Sequence, residues 1–185
     1  MADRIIYGTG GHARVLAAGL NLTAPPILGY FDDRITQPAL NGLPIVQYSP
    51  KSFPDAEVLI GIGNNEIRRA ISARVQHQFG IFVHPKAVVA PDVKIGPGTV
   101  ILAGAVVQTG VVLGAHVIVN ANVTIDHDAV LADFSSIYPN AYIGGGAKIG
   151  SGVTIAACTA VERLASIPGI FEEDWSISMD FSSSS

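Results

Sequence analysis

From Val83 onward an aliphatic residue stands at every sixth position: Val83, Val89, Ile95, Ile101, Val107, Leu113, Val119, Ile125, Leu131, Ile137, Ile143, Ile149, Ile155, Val161 and Ile167. A helix repeats its faces about every 3.6 residues and a strand about every two, so neither keeps this spacing. A stack of coils does, if each hexad supplies one short strand and one corner. The aliphatic residue then points inward. A small or aliphatic residue two places earlier, as at Ala87, Val93, Thr99, Ala105, Val111, Val117, Val123 and Ala129, shares the interior. Gly96, Gly114, Gly144 and Gly150 directly follow the aliphatic position and read as relaxing the backbone at the turn. Three hexads close one triangular coil, and the period predicts a left-handed parallel β-helix, unbroken from His84 to about Ile167.

Residues 3–79 follow another rhythm. "RIIYGTGGHARVLAAGL" reads as a strand, a glycine turn and a helix; "ILGYFDD", "LPIV" and "EVLIGIG" as further strands. "NNEIRRAISARVQHQF" reads as an amphipathic helix capped by Asn64 or Asn65. This alternation implies a parallel sheet with ligands at its strand ends. Gly8, Gly10 and Ala13 fit G-x-G-x-x-A, and Asp32 or Asp33 lies at the distance of a ribose-binding acid. The segment is half the size of a full dinucleotide fold, which suits a mononucleotide or nucleotide-sugar better than NAD. Amides after Gly10 and Gly11 at a helix N-terminus suit a pyrophosphate; a tight turn without a ligand is the alternative. The expected organisation is an α/β half-Rossmann domain over 1–80, the β-helix over 81–170 and an atypical tail over 171–185.

Composition narrows the function. A chain of 185 residues with 49% hydrophobic and 14% charged content is a buried globular protein rather than a disordered one. A net charge of −4 leaves no electrostatic footprint for nucleic acid or an anionic membrane. The start, "MADRIIYGTGGHA", reads as neither a signal peptide nor a membrane span, and Cys158 alone fits a reducing cytosol, so a cytoplasmic location is expected. No Cys/His cluster has zinc spacing, so no metal is expected.

His127 lies two places after inward Ile125, between Asp126 and Asp128. There its ring projects from a corner, either as a base steadied by a carboxylate or as a solvated polar corner. His12 reads as a ligand contact or a helix-start cap, and His84 as the structural start of the first coil. His116 reads as a solvated corner, His77 as helix surface and Cys158 as a small packing residue. Asp32 and Asp33 are either ribose-facing or a solvated strand end.

The run "YGTGGHARV", "GYFDD", "LNGLPIV", "IGIGNNEIRRAI", "HPKAVVAPDVKIGPGTVI", "VIVNANVTIDHDAVLADF" and "GGGAKIGSGVTI" resembles the bacterial sugar O-acyltransferase family over residues 3–160. That family includes sialic acid O-acetyltransferases and N-acetyltransferases of UDP-4-amino-sugars. The resemblance implies a homotrimer acetylating an amino or hydroxyl group of a UDP-linked or free bacterial sugar, with acetyl-CoA as co-substrate. It implies Gly10, Gly11 and His12 near the phosphates, Asp32 and Asp33 near base or ribose, and Asn120 at the sugar. His127 becomes the general base and Asp128 its supporting acid, with Asp126 still open for that role. Gly145 would approach the thioester arm.

Two departures stand out. A second family histidine, associated with acetyl-CoA, falls at Ser136, which reaches less far and carries no charge. The hexads fade after "CTAVERLASIPGI", leaving Lys148 and Arg163 as cations for the coenzyme phosphates and Phe171, Trp175 and Ile177 as a possible cap. A non-catalytic nucleotide-sugar-binding protein with a degraded coenzyme site therefore stays open as the second reading, and a nicotinamide enzyme as the third.

Overall fold

Each hexad becomes a two-residue strand. In the computed structural model, which describes residues 2–23 and 25–171, three parallel faces of five strands enclose a triangular core. Face one carries Phe82–Val83, Val100–Ile101, Ile118–Val119, Ser136–Ile137 and Thr154–Ile155. Face two carries Val88–Val89, Val106–Val107, Thr124–Ile125, Tyr142–Ile143 and Ala160–Val161. Face three carries Lys94–Ile95, Val112–Leu113, Val130–Leu131, Lys148–Ile149 and Ser166–Ile167. Val106 pairs with Val88 on one side and Thr124 on the other, so like positions stack. The hexad repeat makes the coil a left-handed β-helix.

The middle coils bury Ile101, Leu113, Val119, Ile125, Leu131, Ile137, Ile143 and Ile149 completely. Each contributes about 1.5–3 kcal/mol, which sustains strands too short to persist on backbone bonds alone. Val89, Ile95 and Ile167 are only partly buried, because the end coils have one neighbour. At the last coil Thr154, Ile155, Val161, Ala165 and Ile167 help line an apolar hollow of about 460 Å³. Phe171 lies instead against Gly152 and edge-on to Phe134, with Arg69 over its ring at 4.6 Å. Trp175 and Ile177 fall outside the described residues.

The glycines act differently from the expectation. Those directly after the aliphatic position serve close stacking: a Cβ on Gly96 would lie 2.5 Å from the carbonyl carbon of Gly114. The left-handed turn comes two residues later, in columns such as Gly110, Asp128, Gly146 and Leu164, with φ of 72°, 59°, 67° and 59°. Asp and Asn tolerate that region through short polar side chains. Cys158 occupies such a corner, and it is exposed rather than packed.

The first domain is a sheet of order β3-β4-β2-β1-β5. Its strands are β1 (Arg4–Tyr7), β2 (Ile27–Phe31), β3 (Ala39–Leu40), β4 (Leu43–Val46) and β5 (Glu57–Ile60). All pairs are parallel except the short β3–β4 hairpin, which the sequence did not announce. Helix α1 (Gly11–Leu20) buries Leu16 and Leu20 in one cluster with Phe82, Val100, Leu102 and Ile118. The outer side of face one is thus covered by the chain's own α/β domain. Gly19 permits the approach, since a Cβ there would lie 2.9 Å from the Phe82 ring.

Helix α2 spans only Asn65–Ser72, and Asn64 is its cap, accepting from the Ile67 amide at 2.9 Å. The expected continuation to Phe79 is absent because Gln78 and Phe79 return to the sheet edge beside Val58. His77 is therefore buried and bonded to Tyr48 and the Ser52 carbonyl, not on a helix surface. His116 is likewise no solvated corner: it is 4% exposed, stacked on Phe134 and edge-on to Phe79. His84 caps the start of the first coil, its Nδ1 accepting from the Lys86 amide at 3.0 Å.

Burial, and then the charge of Arg68, push His12 and His116 each down to about 4. The unfolded chain takes these protons first, near the ordinary value of 6.5, so both histidines oppose folding in acid. Stability is expected to fall as pH drops from about 6.5 to about 4 and to be unaffected by them above that window. Denaturant unfolding across pH checks this. His116→Asn, which accepts the left-handed corner, should flatten the slope; an unchanged slope would contradict it.

Candidate active site

His127 leaves face two after Thr124–Ile125 and sits on the edge where the chain turns toward Val130–Leu131 of face three. Its Nδ1 lies 2.8 Å from Asp128 Oδ2. A carboxylate only accepts, so Nδ1 carries the hydrogen, and in the neutral ring Nε2 then holds the lone pair. Asp126 plays a different part: Oδ1 accepts from the His127 amide at 2.7 Å and Oδ2 from the Tyr142 hydroxyl at 2.9 Å. Those bonds, the backbone one foremost, hold the Asp126 carboxyl below its usual range. The two acids flanking His127 thus divide the ring from the main chain.

One coil further, Gly144, Gly145 and Gly146 stack over Asp126, His127 and Asp128. A Cβ on Gly145 would lie 2.8 Å from His127 Nε2, so the imidazole occupies the space that the missing side chain leaves. The corner stays in register because Gly146 N donates to the His127 carbonyl at 2.8 Å. Gly145→Ala is expected to push the ring aside and lower kcat by about a hundredfold with little change in melting temperature. Stopped-assay kinetics and a melting curve check it; wild-type turnover would mean that the ring position is immaterial.

The nucleotide-type turn forms a second locus. Gly8, with φ of 106°, turns the chain after β1, and a Cβ on Gly10 or Gly11 would meet nothing within 4 Å. The first turn of α1 has no side-chain cap and no acid, leaving its amides open to an anion. Asp32 Oδ2 accepts from Thr9 Oγ1 at 2.6 Å, placing that acid beside the turn. Asp33 is engaged elsewhere, by Tyr7 at 2.8 Å and by the Arg74 guanidinium, which draws its carboxyl below the usual range against the effect of burial. His12 has Nε2 buried without a partner, and its depressed basicity keeps it neutral. It brings no charge to a phosphate.

The remaining sequence candidates do not converge in one chain. Asn120 is half-buried on the edge between faces one and two, not on the edge of His127. Lys148 is exposed on face three, and Arg163 stands in the column of His127 and Gly145. Ser136 departs most from expectation. Nine residues is one and a half hexads, which carries it from the edge of His127 to the outer side of face one. There it is fully buried under α2, donating to Asn65 Oδ1 at 2.7 Å and accepting from Arg68 at 3.2 Å. It offers the coenzyme no open surface in the single chain.

Sequence reasoning missed this buried network. Arg68 is 1% exposed and also donates to the carbonyls of His116, Ile62, Gly63 and Phe134. Asn65 donates to the Gly152 carbonyl and Thr154 Oγ1. Its signal was the three-residue spacing of Asn65 and Arg68, which puts both on one helical face. Among the described residues no group of three His, Cys, Asp or Glu could hold a metal ion, and no helix is long and apolar enough to cross a membrane.

The fold is that of the β-helical transferases, and an imidazole bonded to a carboxylate stands on one of its corners. Residues 4–75 match the PglD N-terminal domain, and 92–127 and 128–163 match the bacterial transferase hexapeptide of six repeats. The chain is 32% identical to the acetyltransferase domain of PglB from Neisseria gonorrhoeae, solved in complex with acetyl coenzyme A. That likeness has a TM-score of 0.63 and covers 90% of this chain and 93% of the other. A perosamine N-acetyltransferase variant from Caulobacter crescentus, in complex with CoA and GDP-perosamine, shares the fold at 24% identity and TM-score 0.76, covering 92% of each chain. WeeI from Acinetobacter baumannii does so at 21% and 0.58, covering 90% of this chain and 93% of its own. No curated protein matches. The chain belongs to the hexapeptide-repeat acyltransferase family, and it is an acetyltransferase.

Proposed function

We propose that the protein transfers the acetyl group of acetyl-CoA to an amino or hydroxyl group of a nucleotide-linked sugar, with UDP as the nucleotide. The observation that supports this reading best is His127, its Nδ1 held by Asp128 and its Nε2 free over Gly145. In that reading His127 Nε2 takes the proton that the amine or hydroxyl loses as it bonds the thioester carbonyl carbon. The imidazolium, steadied by Asp128, returns that proton to the sulfur as the carbon–sulfur bond breaks. The thioester arm passes along the corner of His127 and Gly145, with Arg163 beyond them in the same column.

The open amides after Gly10 and Gly11 hold the diphosphate, and Asp32 holds the ribose. These groups belong to the domain that covers face one, whereas His127 lies on the edge opposite that face. A site using both needs the acceptor domain of a second copy, and a homotrimer with clefts between adjacent β-helices meets that need. Asn120, on another edge, reaches the sugar in the same way. Thiol release from acetyl-CoA, screened against UDP- and GDP-linked amino sugars, tests the reading. Release dependent on one such sugar, from a trimeric species in sedimentation, is expected; a fully active monomer would overturn the shared cleft, and absence of release with every sugar would overturn the substrate class.

A further inference from the structure

The proposed base leaves one part of its corner unexplained. Asp126 makes no hydrogen bond to the imidazole, yet both of its oxygens are committed, one to the His127 amide and the other to Tyr142. Tyr142 begins the next strand of face two, directly above Thr124, and is 40% exposed. An aromatic residue at an outward strand position has no packing reason to direct its hydroxyl at a carboxylate one coil below. The result is a chain of contacts from the Tyr142 phenol through Asp126 to the peptide that carries His127. Asp128 lies in a left-handed corner at φ 59° and is largely exposed, so its carboxylate is held by little besides the imidazole itself. The direction of the ring therefore depends on how firmly the 126–128 peptide is fixed.

We infer that Tyr142 is a positioning residue for acetyl transfer: through Asp126 it fixes the main chain of His127, so that Asp128 can orient the ring and hold Nε2 against Gly145. This inference rests on the assignment of His127 as the base. The link also keeps the Asp126 carboxylate from swinging to the ring, where it would compete with Asp128 for Nδ1. Charged and titratable groups around the corner are Asp126 and Asp128 on its own turn, Tyr142 and Arg163 on later coils, and Asp92 on an earlier one, bound to Thr109 and Gly110.

Tyr142→Phe keeps the ring and removes only the hydroxyl. It is expected to lower kcat by about tenfold, the worth of one hydrogen bond to a charged group, and to leave the KM for acetyl-CoA and the melting temperature unchanged. Asp126→Ala should lose at least as much. Because both substitutions break one link, adding Tyr142→Phe to Asp126→Ala should cost nothing further. Asp126→Asn, whose amide can accept from the His127 amide and donate to the phenol oxygen, should restore kcat to within about threefold of wild type. Wild-type kcat in Tyr142→Phe, or additive losses in the double variant, would overturn the positioning role. If His127→Ala keeps full turnover, the base assignment has failed instead, so the two failures are distinguishable.

Discussion

His127→Ala is expected to lower kcat by about 10²- to 10⁴-fold, the usual contribution of a positioned acid–base group, while secondary structure, assembly and melting temperature stay as in wild type. The separation of effects follows from the corner. The ring projects out of the β-helix, with its side chain 43% exposed, and the core column through Ile125 is independent of it. The main-chain bonds that keep the coil in register, from Gly146 N to the His127 carbonyl and from the His127 amide to Asp126, survive the substitution. Only the Asp128 carboxylate loses a partner, and at its exposed site water replaces it. Single-turnover measurement of acetyl transfer, with unfolding curves alongside, gives the test. Full turnover in the variant would remove His127 as the base, whatever the fate of the fold.

Arg68→Ala is expected to destabilise the protein by about 3–5 kcal/mol, because it strands buried acceptors and opens a cavity. The guanidinium serves three acceptors in its own domain, the Ile62 and Gly63 carbonyls and Asn65 Oδ1, and three in the β-helix, the His116 and Phe134 carbonyls and Ser136 Oγ. Burial lowers its pKa to about 10, so it remains a cation, yet no carboxylate is among its named partners. Carbonyl dipoles solvate the charge in place of water, and alanine leaves them with no donor. Because the contacts cross between domains, the α/β domain should also unfold ahead of the β-helix, splitting one urea transition into two. Arg68→Lys should recover only part of the loss, since a point ammonium cannot span both sets of acceptors. A single transition within about 1 kcal/mol of wild type would show that the apolar contacts of α1 suffice.

Helix α2 shows where binary patterning misleads. Ile67 and Ile71 look like its buried pair, but Ile67 is 51% exposed and Arg68 is buried. The inward face is Asn65, Arg68 and Ile71, because it meets the backbone carbonyls of β-helix corners rather than an apolar surface. The hexads were easier to read. Their period depends only on which residues point inward, and the core contains the expected column from Ile101 to Val161. The glycines were half legible: their spacing marked the corners, but only stacking revealed which ones give room and which adopt the left-handed turn.

The same division runs through the site. Sequence by itself determined the β-helix, the half-sized sheet before it and the projection of His127 from a corner, because periodicity and local turn chemistry dictate each of these. Tertiary structure decided that Asp128 holds the ring while Asp126 holds the main chain. It also decided that Gly145 makes room for Nε2, that Asp33 is consumed by Arg74, and that Ser136 faces the domain interface. Each of those outcomes depends on which residue lies one coil away or across a domain boundary. Distance along the chain does not encode that until the coils are stacked.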